Sequence, residues 1–181
     1  MYKKYGKPLL DIFFSFLLIL ILSPLMILLA ILIRINLGSP ILFKQVRVGL
    51  NKKEFTIYKF RTMKNIIASD KDRTTKFTRF LRNFGLDELP QLFNIIKQDM
   101  SFVGPRPFIA NEKLPDTKID DMIYTVLPGI TGLAQSKGRR AISHQQRLKY
   151  DCEYVQNISF LLDLKIIFST IKLLIIQNIK R

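Results

Sequence analysis

Asp87 and Glu88 are adjacent carboxylates at the point where the sequence predicts the start of a helix. They follow a basic segment containing Arg79 and Arg82, and the free N–H groups at a helix start favour bound phosphate. Carboxylates that stay ionised there can act as a nucleophile, and adjacent acids suit Mg²⁺, which takes one or two carboxylates together with phosphate oxygens. The plainer interpretation, usual for an arbitrary Asp-Glu pair, is that Asp87 caps the helix and Glu88 is a first-turn acid.

Arg106 stands between two prolines in the segment Gly104-Pro105-Arg106-Pro107. Proline fixes the φ angle, so the backbone on both sides of Arg106 is stiff. A guanidinium held in this way can grip a phosphate with two hydrogen bonds at a low entropic cost. A rigid turn with a solvated arginine explains the pattern equally well.

Lys59 and Arg61 flank Phe60 in a segment with the alternation of a β-strand. Alternation places Lys59 and Arg61 on one face of the strand and Phe60 on the other. The pair is therefore either a basic surface that faces phosphate or an ordinary solvated strand face.

A cationic turn and a single carboxylate carry further charge that could serve a site. Arg139 and Arg140 follow Gly138 in a cationic turn, with the same two interpretations. Asp151 lies on a predicted helix, where it is either a second metal or hydroxyl ligand or a surface partner of Arg147 four residues earlier.

The composition of the 181-residue chain narrows the possible chemistry. One Cys and one His exclude a zinc cluster, a disulfide framework and a Cys-x-x-Cys redox pair within a single chain. Lys and Arg number 29 against 14 Asp and Glu, and the formal net charge of +15 predicts an anionic partner such as a nucleic acid, an anionic lipid or a phosphorylated substrate. Motifs of nucleic-acid recognition are absent from the sequence, so we expect no nucleic-acid partner.

Residues 12–33 form an uncharged apolar run long enough to span a bilayer, and no cleavage site follows it. Ser23 and Pro24 lie at its middle, where proline kinks or breaks a helix. Basic residues flank the run on both sides, which predicts two cytoplasmic ends. A helix that enters the membrane, bends at Ser23-Pro24 and returns satisfies these features, and a kinked single-pass helix is the alternative.

The rest of the sequence predicts a mostly helical α+β domain with a small β-hairpin. The hairpin strands are expected over residues 41–48 and 54–60, and helices over residues 76–83, 88–98 and 143–156. Residues 160–179 predict an amphipathic helix that lies in the membrane interface or packs on the core. Its apolar stripe consists of Phe160, Leu164, Phe168, Ile171 and Ile175.

These motifs, in this order, resemble the small monotopic form of the bacterial polyprenol-phosphate phosphoglycosyl transferases, also called initiating sugar transferases. The resemblance covers nearly the whole chain. It includes Ser23-Pro24, Gly38-Ser39-Pro40, Phe43, Gln45, Arg47, Gly49, residues 58–63, residues 86–91, residues 99–107, residues 128–135, Gly138-Arg139 and Tyr150-Asp151.

The resemblance implies a reaction and a place in the cell. It implies transfer of a phospho-sugar from a UDP-sugar to undecaprenyl phosphate, with release of UMP, Mg²⁺ dependence and a covalent intermediate. It also implies a re-entrant membrane anchor over residues 1–37 and a cytoplasmic catalytic domain over residues 38–181 at the inner-membrane interface, where anionic lipids attract the basic chain.

The resemblance also implies roles for individual residues. Asp87 is expected to be the nucleophile and a magnesium ligand, and Glu88 to assist it. The residues expected to hold phosphates or the uridine end, or to support the site, are Lys59, Arg82, Pro105, Arg106, Gln135, Arg139 and Asp151.

Two other functions remain open from the residues themselves. One is a membrane-anchored basic module that binds without catalysis. The other is a phosphohydrolase that forms an aspartyl-phosphate on the same carboxylate and needs no lipid acceptor.

Overall fold

The computed structural model describes residues 1–67, 69–110, 118–138 and 142–179. The chain is mostly helical with small sheets, as predicted. A π-helical turn, Tyr2–Gly6, precedes the first helix, and a 3-10 helix, Leu86–Gln91, precedes the fourth. The helices are α1 (Lys7–Leu37), α2 (Asp70–Arg73), α3 (Lys76–Phe84), α4 (Leu92–Ile96), α5 (Lys118–Ile123), α6 (Leu133–Gly138), α7 (His144–Gln156) and α8 (Phe160–Ile179). The strands are β1 (Leu42–Val48), β2 (Glu54–Phe60), β3 (Ser101–Val103), β4 (Phe108–Ile109) and β5 (Gly129–Thr131).

Helix α1 is the one helix in the described part of the chain that is long and apolar enough to cross a membrane. It has 31 residues and is continuous through Pro24, so the predicted break at Ser23-Pro24 does not interrupt the helix. Proline removes only its own N–H, and both flanking segments can remain helical around it. The Ser23 hydroxyl donates to the Leu20 carbonyl one turn earlier, 3.0 Å away.

Both ends of α1 bind the rest of the protein. At the N-terminal end, Lys7 Nζ lies 2.7 Å from Asp163 Oδ2 on α8, and both groups are buried. At the C-terminal end, the Arg61 guanidinium donates to the carbonyls of Leu37 and Gly38. Arg61 is therefore buried against the end of α1 and does not form a solvated basic face with Lys59, because its guanidinium binds the carbonyls that end the helix.

The middle of α1 also packs on the protein. Leu18 and Ile19 pack against a cluster that includes Ile57 of β2 and Ile95 of α4. Further along, Leu29 and Ile33 share a buried cluster with residues of β2 and α3. The opposite face of α1 leaves large apolar side chains exposed along the helix: Leu9, Ile12, Phe13, Phe14, Phe16, Leu17, Leu20, Ile21, Ile27, Leu28, Ile31 and Ile35.

The β-hairpin lies within one residue of its predicted limits. Strands β1 and β2 pair antiparallel, with Phe43 opposite Lys59 and Arg47 opposite Phe55, and β4 adds a short third strand beside β1. Because opposed residues share a face, Phe43 and Arg47 lie on the same face as Lys59. The parallel pairing of β3 with β5 has no counterpart in the sequence prediction.

Helix α8 follows its predicted range and leaves its apolar stripe largely exposed. Phe160, Phe168, Ile171 and Ile175 are exposed, together with their neighbours Leu161, Ile176 and Ile179. The buried face of the helix instead carries Asp163 and Ile166. Helix α7 begins at a capping box made by Ser143 and Gln146, as expected from a serine at that position.

Candidate active site

Asp87 and Glu88 lie on the 3-10 helix that follows α3. Gly85 ends α3 with φ of +69°, a conformation that glycine adopts without strain, and the chain enters Leu86–Gln91 directly. The sequence predicted one helix over residues 88–98, whereas the structure has this 3-10 helix followed by α4, which ends at Ile96. Pro90 has no N–H for the helical ladder and is placed inside the 3-10 segment.

Lys59 joins the hairpin to the acidic pair. Its Nζ lies 2.7 Å from Glu88 Oε1, and both side chains are about one-fifth exposed. This contact spans 29 residues of sequence and places the basic face of β2 against the 3-10 helix. Lys59 and Glu88, predicted separately, thus belong to one site.

Asn94 fixes β2 to the segment that carries the acidic pair, a role that the sequence analysis missed. Its side chain is fully buried, Oδ1 accepts from the Tyr58 N–H at 3.1 Å, and Nδ2 donates to the Thr56 carbonyl at 2.7 Å. The amide therefore pairs with the outer edge of β2 as a neighbouring strand would. An asparagine inside a helical pattern gives no local signal of such a long-range contact.

The surroundings of Asp87 shift its pKa in opposite directions. Burial and the neighbouring charge of Glu88 raise the pKa of Asp87 to about 6, while Lys59 and Arg82 act in the opposite direction. The predicted cation Arg82 therefore acts on the carboxylate from the last turn of α3. Asp87 remains mostly ionised at neutral pH, as a nucleophile or metal ligand requires.

The turn that carries Arg106 is held by a close crossing of two backbones. Gly104 N donates to the Thr131 carbonyl, and Gly129 N donates to the Pro105 carbonyl, each at 2.9 Å. A Cβ atom on Gly129 would lie 2.1 Å from Gly104 N, so only glycine fits this crossing. Pro105 and Pro107 are buried, whereas Arg106 between them is exposed.

Arg47 braces the same turn from β1. Its Nη1 donates to the Pro107 carbonyl at 3.0 Å, and its Nη2 donates to Gln45 Oε1 at 2.6 Å. No role for Arg47 follows from the sequence, since its partner on the turn is 60 residues away.

Asp151 lies fully buried on α7, beside the main chain of Arg106. The main-chain N–H of Arg106 is close enough to lower the pKa of this carboxylate, although neither oxygen makes a hydrogen bond of good geometry among the described residues. Burial raises the pKa of Asp151 to about 7, and the charges of Arg147 and Arg106 reduce this rise. Asp151 is thus a buried carboxylate behind the segment Gly104-Pro105-Arg106-Pro107, called the arginine turn below, rather than a surface partner of Arg147.

A cleft brings the site together from β1, β2, the 3-10 helix and the arginine turn. Its described lining is Arg47, Ile57, Lys59, Glu88, Gln91, Arg106, Pro107, Gly129 and Ile130. Gln91 was not singled out as a functional residue from the sequence, because glutamine in a helix has no distinctive spacing. The excess of cationic side chains over carboxylates in this lining favours an anionic ligand.

Gln135, a predicted substrate residue, is not in the described lining of this cleft. Gln135 lies at the start of α6 with both amide atoms buried and without a partner among the described residues, close to Gly132. Its contact with substrate stays a prediction. Arg139 lies outside the described residues.

Comparison with known proteins identifies the family of the chain. Residues 2–177 match the family described as bacterial sugar transferase. The chain is 45% identical to the uncharacterized sugar transferase EpsL of Bacillus subtilis, over 81% of this chain and 75% of that protein. It is 40% identical to the UDP-glucose:undecaprenyl-phosphate glucose-1-phosphate transferase of Klebsiella pneumoniae and 37% identical to the undecaprenyl-phosphate galactose phosphotransferase of Salmonella typhimurium. These alignments cover 91% and 96% of this chain but only 39% and 41% of the two relatives.

The chain therefore belongs to the bacterial sugar transferase family. The resemblance seen in the sequence is confirmed, and so is the prediction that the protein is an enzyme of the transferase class.

Proposed function

We propose that this protein transfers a phospho-sugar from a UDP-sugar to undecaprenyl phosphate, releasing UMP and forming undecaprenyl-diphosphate-sugar. The observation that carries the proposal is the cleft itself. The cleft contains the Lys59–Glu88 ion pair together with Arg106, and Asp87 adjoins Glu88 in the chain. The named activities of the Klebsiella and Salmonella relatives support the substrate classes. Phosphoryl transfer needs aligned reactants and neutralised charge, which such a lining supplies.

Asp87 is the nucleophile in this proposal. Its carboxylate oxygen attacks the sugar-bearing phosphorus, the bond to the UMP oxygen breaks, and UMP leaves with that electron pair. An oxygen of undecaprenyl phosphate then attacks the same phosphorus, and the Asp87 carboxylate is released unchanged. Lys59 and Arg106 hold phosphate oxygens, while Glu88 assists beside the nucleophile. Dividing the displacement into two steps lets a soluble donor and a lipid acceptor use the site in turn.

Mg²⁺ fits the acidic pair. Asp87 and Glu88 are adjacent, and the charge of Glu88 raises the pKa of Asp87, a repulsion that a divalent cation relieves. Within the described residues, no group of three or more acidic, His or Cys side chains gathers, so Asp87 would hold the ion with help from phosphate oxygens and water. A bound Mg²⁺ neutralises charge on the transferred phosphoryl group.

The contacts of α1 support a re-entrant anchor with both ends on the cytoplasmic side. Lys7 at one end and Leu37 at the other bind the same catalytic unit, and the exposed apolar faces of α1 and α8 suit lipid contact. This arrangement holds the cleft at the inner-membrane interface, where a polyprenol phosphate presents its charge. The net charge of +15 attracts the anionic leaflet.

The proposal is tested by measuring UMP release from a panel of UDP-sugars with undecaprenyl phosphate and Mg²⁺, using the full chain in lipid nanodiscs. Asp87→Asn should abolish UMP release and the adduct detected by mass spectrometry with labelled donor. Asp121→Asn is the matched control, because Asp121 is 66% exposed in a surface pair with Lys52. Absence of UMP with every donor, or full activity of Asp87→Asn, would reject the proposal. Release of inorganic phosphate or sugar phosphate without lipid would favour a phosphohydrolase.

A further inference from the structure

Gln91 is a buried polar residue on the wall of the cleft. It is 2% exposed, and its Nε2 atom is shielded from water without a hydrogen-bond partner among the described residues. Buried amide groups in folded proteins are almost always paired, so an unpaired donor calls for an explanation. In this case the residue lines the cleft, where a ligand can supply the missing acceptor.

The geometry of the 3-10 helix aligns Gln91 with the acidic pair. In a 3-10 helix, residues three apart lie one above the other, so Gln91 lies on the same face as Glu88. Both line the cleft together with Lys59 and Arg106. The amide is thus the neutral donor in a lining whose other long polar groups are charged.

The charged groups in the lining indicate which ligand atom contacts the Gln91 amide. Lys59 and Arg106 attract an anion, whereas an amide N–H needs a specific acceptor oxygen. We infer that the side-chain amide of Gln91 donates a hydrogen bond to a phosphoryl oxygen of the bound substrate. This inference rests on the proposed transferase function. The oxygen belongs either to the diphosphate of the nucleotide-sugar or to the phosphate of the lipid acceptor, which share this chemistry.

The effect of substitution on stability distinguishes two roles of Gln91. It is either a hydrogen-bond donor to substrate or an amide that stabilises the fold. Methionine has a similar length to glutamine and no hydrogen-bond donor. Because Nε2 has no partner in the free protein, Gln91→Met should keep or raise the melting temperature. A glutamine that stabilised the fold by hydrogen bonding would lower it.

The experiment compares Gln91→Met and Gln91→Glu with the wild type in nanodiscs. We expect a loss of kcat/KM of about tenfold to a hundredfold in Gln91→Met, the usual effect of removing one hydrogen bond to a charged group. Gln91→Glu should lose more, because it replaces the donor with a negative charge facing phosphate. Gln145→Met, an exposed glutamine on α7, is the control and should leave turnover unchanged.

Two separate measurements identify which phosphate the amide meets. A slower burst of UMP without lipid assigns the contact to the nucleotide-sugar, whereas a normal burst followed by slower transfer assigns it to the lipid phosphate. Normal turnover in a folded Gln91→Met or Gln91→Glu protein would overturn the inference and leave the proposed function intact. A fall in melting temperature for both variants would make Gln91 structural and would also overturn it.

If the wild type forms no UMP from any donor, the proposed function is rejected. The phosphate contact of Gln91 can then still be tested. UDP binding is then measured directly by the rise in melting temperature at saturating UDP. A smaller rise for Gln91→Met than for Gln145→Met supports a phosphate contact. An equal rise for both variants overturns it.

Discussion

The ammonium of Lys59 lies 2.7 Å from the Glu88 carboxylate and connects strand β2 to the 3-10 helix that carries Asp87. Two elements far apart in sequence thus meet through one ion pair at the edge of the cleft. Because both side chains are mostly shielded from water, their attraction is screened less than that of a surface pair. The position of each group in the site depends on the other.

We therefore predict that Lys59→Met and Glu88→Gln are not independent. Each change alone should lower kcat/KM by about tenfold to a hundredfold, and the double variant should lose less than the product of the two losses, because groups that act as a unit are non-additive. The measurement is a double-mutant cycle on UMP release. Lys97→Met is the control, since its exposed ammonium contacts Tyr58, 4.9 Å from the ring centroid and 3.3 Å from the hydroxyl, and neither residue is in the described lining of the cleft. Losses that multiply fully would contradict the prediction.

Asp151 should make stability depend on pH. Burial raises its pKa from 3.8 to about 7 in the folded protein, so the unfolded chain loses this proton at lower pH. The contribution of Asp151 to the free energy of unfolding is then highest below pH 4, falls as pH rises from about 4 to 7, and stays low above that range. Asp151→Asn should remove this loss and stabilise the protein at pH 8 by roughly 2–4 kcal/mol, which is an upper range for a buried carboxylate.

The pH effect is measured as the melting temperature between pH 4 and 8 in the presence of a chelator. Asp87 also has a raised pKa, of about 6, so Asp151→Asn should retain a smaller decline between pH 4 and 6. Asp121→Asn, changed at an exposed carboxylate, should keep the full wild-type profile. An unchanged profile in Asp151→Asn would show that this carboxylate is not the group responsible.

The contact between Gly104 and Gly129 predicts a steric effect at the arginine turn. A Cβ on Gly129 would lie 2.1 Å from Gly104 N and 2.3 Å from the Thr131 carbonyl, and backbone atoms cannot rotate away. Gly129→Ala should cost about 3 kcal/mol or more, or prevent folding. Gly6→Ala is the control, because its Cβ would meet a side chain, the Tyr2 ring at 3.2 Å, and no backbone atom is closer. Melting temperatures in nanodiscs compare the two, and equal values would refute the close crossing.

The elements with strong local patterns could be predicted from the sequence. The hairpin alternates apolar and polar residues, and the structure places it within one residue of the predicted limits. Helix α8 has a long helical apolar repeat, and its range also agrees. Strands β3 and β5 have three residues each, too few for a periodic pattern, so their parallel pairing was not predictable.

Glu88 and Arg106, which the sequence selects by charge and by flanking prolines respectively, lie in one cleft, and their roles there stay predictions. The site was not predictable where a residue acts through a distant backbone group. Asn94 pairs with the edge of β2, and Arg47 binds the carbonyl of Pro107. Arg61 shows the opposite error, since alternation along a strand cannot reveal that the end of α1 covers this face and buries the guanidinium.

The contacts of α1 lead to a prediction about membrane topology. Lys7 is paired with Asp163, and the carbonyl of Leu37 at the other end accepts from Arg61, so both ends of the apolar helix bind the same catalytic unit. A straight crossing of the bilayer would separate these ends by the full thickness of the hydrocarbon core and break one set of contacts. We expect both ends on the cytoplasmic side.

Single cysteines at Lys4 and Ser39, both exposed, report on the two ends of the helix in a Cys152→Ala background. A maleimide that cannot cross membranes should label neither site in intact spheroplasts and both sites in inverted vesicles. Labelling of Lys4→Cys alone in spheroplasts would indicate a single crossing instead. The UMP assay on each variant provides the control for folding, because a protein whose ends had separated would lose the Lys7–Asp163 pair that holds α1 against α8.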